Sequence, residues 1–191
     1  MSQAEYGFDA AKFRAARAAA GASVAQIARA AGVTERAVGL YLAGTRVPRP
    51  EVLPRLAAVV GVGPADLCAV EHERLVHLRV FTGRSRAQMA KALGMAEETY
   101  RRVETTGHRG RAATSRYDGR LGRYIAWEEW ATPVYGVTAE RLAQAEHHTR
   151  EAWQELRAER RRLWMEHLDQ VERDRLKELS RQGRRARGGG G

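Results

Sequence analysis

Apolar positions along this chain recur almost everywhere at helical spacing, and small residues and turns break them into short runs. Phe8, Ala11, Phe13 and Ala16 give a first helix over 8–20. Val24, Ile27, Ala28 and Ala31 give a second, narrow and small-faced. Gly32 can take the positive φ that ends it. Thr34 is a good N-cap for a third helix, whose buried stripe is Val38 and Tyr41. That arrangement leaves Thr34, Glu35, Arg36, Gly39 and Leu40 on or near an open side. Val52, Leu53, Leu56, Val59 and Val60 make the apolar face of a fourth helix, 51–60. Pro64 sits in the first turn of a short fifth, 65–70, where a proline is tolerated.

The pattern then repeats. After a helix over 71–81 with Leu75, Leu78 and Phe81 as its stripe, residues 85–93 copy 23–31 at an offset of 62. Gln26 pairs with Gln88, Ile27 with Met89, Ala28 with Ala90, Gly32 with Gly94 and Glu35 with Glu97. The next helix, 96–104, buries Tyr100 and Val103 and turns Glu97, Glu98, Thr99, Arg101 and Arg102 outward. Gly136-Val137 and Leu142 match Gly61-Val62 and Leu67 at an offset of 75, so the second copy carries an insertion. This basic insertion, 107–124, holds Arg109, Arg111, Arg116, Arg120 and Arg123 among glycines, with Asp118 the one acid. It reads either as an arginine arm that tracks phosphate or enters a minor groove, or as a plain solvated loop. From Thr138 to about Gln182 the chain reads as one helix, roughly 65 Å long at 1.5 Å per residue. Its stripe of Leu142, Ala145, Thr149, Trp153, Leu156, Leu163, Leu168, Val171 and Leu179 lapses at Arg160 and Arg175. Either the helix pairs with a second copy as a coiled-coil homodimer through 138–182, or its tryptophans cover the second domain. The tail, 183–191, is arginines and glycines and reads as disordered.

The stretch 23–46 resembles the Cro/C1-type, or lambda-repressor-like, helix-turn-helix family, on Gln26, Ile27, Ala28, Gly32, Val33, Thr34, Val38 and Gly44. The resemblance extends over roughly 8–67 and implies a five-helix domain that binds DNA. It implies phosphate contacts from Ser23 and Gln26, base-edge contacts from Thr34, Glu35, Arg36 and Leu40, and backbone contacts from Thr45 and Arg46. Leu40 departs from the family, which often has a polar reader there. In the second copy, less similar because Ala96 replaces the capping Thr, the matching residues are Ser85, Gln88, Glu97, Glu98, Thr99, Arg101 and Arg102. Arg109, Arg111 and Arg116 of the insertion complete the expected DNA-binding set. The expected architecture is all-α: helix-turn-helix domains at 1–70 and 71–137, then the long helix.

Composition adds a partner class. Arginine and lysine total 33 against 23 acids, a net charge of +10, which suits a polyanion. The excess is spread: 8 basic and 5 acidic residues in 1–70, 12 and 8 in 71–137, 13 and 10 in 138–191. A single cysteine, Cys68, excludes an internal disulfide. No apolar run suggests a membrane segment or a leader, so the expectation is a cytoplasmic protein. No nucleophile elbow, phosphate loop or dinucleotide fingerprint is present, and His147-His148 point to different helix faces. We therefore expect no enzyme activity, no metal and no cofactor. The expected function is sequence-specific binding of double-stranded DNA by a transcriptional regulator, a repressor, of bacterial, plasmid or phage origin. The alternatives are a DNA-packaging or replication-associated protein that oligomerises through its C-terminal helix, and a protein-interaction role for the second copy. RNA binding fits the insertion but lacks, on sequence, an exposed aromatic platform.

Overall fold

The structure is a computed structural model that describes residues 6–110 and 114–188, with side chains as far as Glu178. The chain divides into two compact units, residues 1–150 and 151–191.

The first unit begins with α1 (Ala10–Ala20), capped by Asp9, which accepts from the Ala11 and Lys12 amides at 2.7 and 3.2 Å. Then come α2 (Val24–Ala31), α3 (Glu35–Leu42) and α4 (Leu53–Val59). Helices this short are marginal alone, so packing must hold them. Phe13, Ile27, Ala31, Val38, Leu53 and Leu56 are fully buried together and do so. Each such side chain contributes about 1.5–3 kcal/mol by leaving water. The segment predicted as a fifth helix over 65–70 is one 3₁₀ turn, Pro64–Leu67. It stops early because Gly7 and Phe8 pair with its exit. The Asp9 amide donates to Leu67 O at 2.9 Å and the Ala69 amide to Gly7 O at 2.7 Å. The two ends of this first module are thus clipped together.

α5 (Leu75–Phe81) belongs to two cores. Val80 is buried in the first, while Leu75 and Leu78 are buried in the second. The second core is completed by α6 (Arg86–Ala92), α7 (Glu97–Thr106), α8 (Trp127–Tyr135) and the start of α9 (Ala139–Gly188). Its polar centre is Glu104, 3% exposed, which pairs with Arg79 and with Arg86. Glu104 also accepts from the Tyr100 hydroxyl at 3.1 Å, and Tyr100 and Tyr135 hydroxyls lie 3.2 Å apart. Burial opposes the charge on Arg79, but the Glu104 carboxylate beside it outweighs that and holds the guanidinium above its ordinary value. Helices α5, α6 and α7 therefore meet on one buried acid.

A second cluster ties α7's exit to α9. Arg109 donates to Glu128 at 2.7 Å and to both oxygens of Glu146, and it lies over the Trp127 ring at 5.6 Å. Gly107, at φ +66, ends α7 against α9: a Cβ there would stand 2.6 Å from Arg150 Cγ and 2.8 Å from Glu146 O. Thr149 of α9 accepts from the Leu75 amide at 3.0 Å and so caps α5.

The described chain is mostly helical, in line with the all-α expectation, with one departure. Part of the predicted insertion is a β-hairpin, β1 (Ser115–Asp118) and β2 (Arg123–Ala126), paired antiparallel. Arg116, Ile125, Asp118 and Arg123 share one face, because Arg116 opposes Ile125 and Asp118 opposes Arg123. Ile125 is buried in the second core, so this face looks inward. Tyr117 opposes Tyr124 on the other face, and both are exposed. Ile125, predicted in a helix, is thus a strand residue, and the helix begins two positions later at Trp127. The turn is built by Asp118, whose Oδ1 accepts from the Arg120 and Leu121 amides at 2.8 and 3.1 Å. Glu129 fastens the base, accepting from Arg123 at 3.1 and 2.6 Å and from the Ala126 amide at 3.0 Å.

α9 starts after Thr138, as expected, with Thr138 Oγ1 accepting from the Arg141 amide at 3.3 Å. Its predicted stripe is divided by use. Leu142, Ala145 and Thr149 are buried in the first unit, so they are not free to pair with another chain. In the second unit Leu156, Leu163, Trp164, Leu168 and Val171 are exposed. Leu179 and the tail arginines fall outside the described side chains.

Two outcomes test these contacts. Gly107→Ala should destabilise the protein by about 1–3 kcal/mol, because a Cβ meets both a left-handed φ and backbone oxygen. An unchanged urea midpoint would refute the close approach of α7 to α9. The hairpin should also be acid-resistant. Backbone hydrogen bonds from Leu121 and Arg120 hold Asp118 below its ordinary value, and the bond from Arg123, then that from Ala126, holds Glu129 at about 2. Carboxylates with depressed folded values stabilise above their ordinary range, and that stability is lost as pH falls from about 4.5 toward 2. The Arg120 and Leu121 amide resonances should therefore stay put from pH 7 to 4.5 and move only below; a midpoint in the ordinary carboxylate range would refute the turn.

Candidate nucleic-acid interface

The first helix pair is fixed by four local features. Ser23 and Gln26 form a reciprocal cap: Ser23 Oγ accepts from the Gln26 amide at 3.1 Å and Gln26 Oε1 from the Ser23 amide at 2.8 Å. Gly32 turns the chain at φ +66, and the Val33 amide returns to Ala28 O at 3.0 Å. Thr34 Oγ1 accepts from the Ala37 amide at 3.1 Å and starts α3. Arg14 closes the far end, donating to Leu42 O at 2.5 Å. With Val38 and Tyr41 buried, α3 is held from one side only.

The opposite side is open. Thr34, Glu35 and Arg36 are exposed, and Leu40 is half-buried. Ser23 and Gln26, at the start of α2, are exposed with their side chains engaged in the cap. Thr45 and Arg46 are exposed just beyond α3, with the Thr45 hydroxyl donating to Leu40 O at 3.2 Å. Arg29, on α2, is exposed on its outer surface and was not among the expected contacts. Gly39 stands in the middle of α3, and a Cβ there would meet nothing within 4 Å. Glycine within a helix costs about 0.5–1 kcal/mol relative to alanine. Packing does not require it, so its bare backbone is a candidate for close approach by something outside the chain.

The same hydrogen bonds recur 62 positions on. Ser85 and Gln88 form the same cap at 3.2 and 2.8 Å. Gly94 turns at φ +67, and the Met95 amide returns to Ala90 O at 3.0 Å. Tyr100 and Val103 are buried where Val38 and Tyr41 are. The outer face differs. Ala96 gives no side-chain cap, and Glu97 and Glu98 occupy the first turn instead, where acids suit the helix dipole. Arg101 donates to Glu98 at 2.9 and 2.6 Å. Arg102 is exposed and its Nη2 lies beside Gly110. Thr99 and Ser85 are half-buried, while Gln88 is exposed.

The insertion arginines do not act as one free arm. Arg109 is spent on Glu146 and Glu128 inside the fold. Arg116 lies on the hairpin's inner face with its guanidinium 5.1 Å above the Trp130 ring, close to Gly94. Arg111 lies outside the described residues. Arg109 is thus a structural brace, while Arg116 packs on an indole but stays exposed and has no acid partner. The hairpin's exposed residues, Tyr117, Arg120, Leu121 and Tyr124, were missed as a group. The Asp-Gly pair at 118–119, flanked by alternating residues, was the available signal.

Among the described residues no helix is long and apolar enough to cross a membrane. No curated protein and no solved structure matches the chain. Residues 10–69 match the family model of a helix-turn-helix domain, a description that fits α1 to the 3₁₀ turn as they fold here and supports DNA binding.

Proposed function

We propose that this protein binds double-stranded DNA in a sequence-specific way and regulates transcription as a repressor, with no catalytic role. The observation that carries the reading is α3: buried through Val38 and Tyr41, open through Thr34, Glu35 and Arg36, and bare at Gly39. A major groove admits a helix of this kind, and a free arginine on it suits guanine O6 and N7. Ser23 and Gln26 at the start of α2, with Thr45 and Arg46, suit flanking phosphates. The hydrogen bonds repeated at 85–95 support a second, tandem helix-turn-helix with α7 as its reader.

One observation favours a narrower version. α7 opens with Glu97 and Glu98, and Arg101 is already paired with Glu98. In that version the first pair alone reads DNA and the second contacts another protein. Replacing Arg101 and Arg102 by Ala separates the two: binding and its salt dependence change only if α7 meets DNA. The exposed apolar residues of α9 beyond 150 support a homodimer, now restricted to that part of the helix.

On this reading Arg36→Ala lowers the specific-to-random affinity ratio by about 1–3 kcal/mol and leaves random-duplex binding nearly intact. Gly39→Ala raises thermal stability by about 0.5–1 kcal/mol while weakening specific binding. A footprint and a ratio unchanged in both variants would remove α3 as the reader. Sedimentation velocity at tens of micromolar should show a dimer that Leu163→Ser with Leu168→Ser dissociates; a monomeric wild-type chain would end the homodimer reading.

A further inference from the structure

The hairpin holds the residues that neither the fold nor the helix pairs use. Its inner face has partners: Ile125 in the core, Arg116 over Trp130 and Arg123 on Glu129, both arginines still exposed. Its outer face and tip are open. Tyr117 is 60% exposed, Leu121 59% and Tyr124 70%. Among the described residues the Arg120 guanidinium and both tyrosine hydroxyls make no hydrogen bond or ion pair. The one acid nearby, Asp118, has an oxygen occupied by two backbone amides.

We propose that the hairpin tip, Arg120 and Leu121, enters the minor groove of a DNA duplex, with the Tyr117 and Tyr124 hydroxyls donating to flanking phosphates. The inference rests on the tandem form of the duplex-binding reading, with α7 against DNA, and adds a site to it; if α7 meets a protein instead, this site falls and the α3 reading stands. Gly119 and Gly122 flank the tip, so only two side chains project there. Two side chains are narrow enough for a groove about 6 Å wide. An arginine is drawn by the groove's negative potential, and a leucine is a wedge that duplex-bending proteins place between base steps. Position agrees. The Arg116 guanidinium places the base of the hairpin beside Gly94, the elbow between α6 and α7. On this proposal a duplex held by α6 and α7 reaches the hairpin tip as well.

Two other occupants fit less well. Stacking of unpaired bases needs open ring faces, but Tyr117 and Tyr124 meet edge to face at 69° with centroids 5.5 Å apart. A protein partner would find three exposed apolar side chains here, Tyr117, Leu121 and Tyr124, a patch far smaller than a stable interface covers.

The test uses the full chain and the duplex it selects from random DNA. The Arg120→Ser, Leu121→Ser double variant should melt with the wild type, since both side chains are exposed. It should bind that duplex about 5- to 20-fold more weakly, with a salt slope shallower by about one because one cation is removed from the groove. Its hydroxyl-radical footprint should lose a protected minor-groove stretch, and Tyr117→Phe with Tyr124→Phe should give a smaller loss of affinity. If Arg36→Ala relaxes specificity but the tip variant binds and protects like the wild type, the hairpin inference fails and the duplex reading stands. If the wild type prefers no duplex over random DNA, both fall together. If the matching single strand binds more tightly than the duplex and Tyr117→Ser abolishes that binding, the hairpin is a base-stacking site and the inference is overturned.

Discussion

A helix of eight residues cannot persist in water unless something holds it, and here each short helix is held along one face. α3 is pinned by Val38 and Tyr41, and α7 by Tyr100, Val103 and the buried Glu104. One-sided anchorage is what leaves the other side free. The reciprocal Ser–Gln caps and the glycine turns set the angle at which each helix leaves its partner, so the open face of α3 is presented by local chemistry at Ser23, Gly32 and Thr34. The same economy explains the polar centre of the second core. α7 carries few aliphatic residues, and a buried acid shared by Arg79 and Arg86 replaces part of the missing apolar contact. A buried charge of this kind is costly unless all partners are present, which makes α5, α6 and α7 interdependent.

The arginines show why composition alone misdirects. A surplus of basic residues suggests a polyanion, and it is spread over all three segments of the chain, five of its arginines lying in the insertion. Inside the fold that surplus is drawn down. Arg79 and Arg86 serve Glu104, Arg109 serves Glu146, Arg123 serves Glu129, Arg141 serves Glu73, and Arg116 covers an indole. Around the helix pairs and the hairpin, the exposed arginines without an acid partner include Arg29, Arg36, Arg46 and Arg49 in the first module, Arg102 on α7, and Arg116 and Arg120 on the hairpin; α9 adds Arg157, Arg160, Arg161 and Arg175 among the described residues. Charge counted along a sequence says how much is there, whereas the acids that fold against it decide how much is available.

The first helix pair was legible because its signals are local. A Ser-x-x-Gln cap, a glycine elbow and a 3.6-residue stripe need no distant partner to be read, and the repeat at an offset of 62 reinforced them. The parts that escaped depend on residues far away. Ile125 looked like the start of an apolar helix, yet pairing with Arg116 makes it a strand. Arg109 looked like a solvent arm, yet Glu146 lies 37 positions on and is buried beside it. The fifth helix was shortened to one turn by Gly7 and Phe8, from the other end of the module. The stripe of α9 runs along the helix with lapses at Arg160 and Arg175, but Leu142 and Ala145 are claimed by the second core and Thr149 is buried, while Leu156, Leu163, Leu168 and Val171 are exposed. Periodicity shows that a face is apolar, and tertiary context decides what that face covers.

α5 adds a constraint that neither helix pair has by itself. Val80 is buried with the first core, and Leu75 and Leu78 with the second, in a helix of seven residues. Gly83, next along the chain, lies so close to Pro54 that a Cβ would meet its Cγ at 3.1 Å. Rotating one core against the other would expose Val80 or Leu78 and open that contact, at a cost of about 1.5–3 kcal/mol for each side chain lost to water. The two helix pairs are therefore held at a set distance rather than strung on a linker. If α7 reads DNA as α3 is proposed to, the two half-sites must keep one spacing. Adding or removing a few base pairs between them would rotate the second away from its reader by about 34–36° per base pair, since a helical turn holds about 10–10.5 base pairs. A flexible connection would tolerate such changes, and α5 is not one.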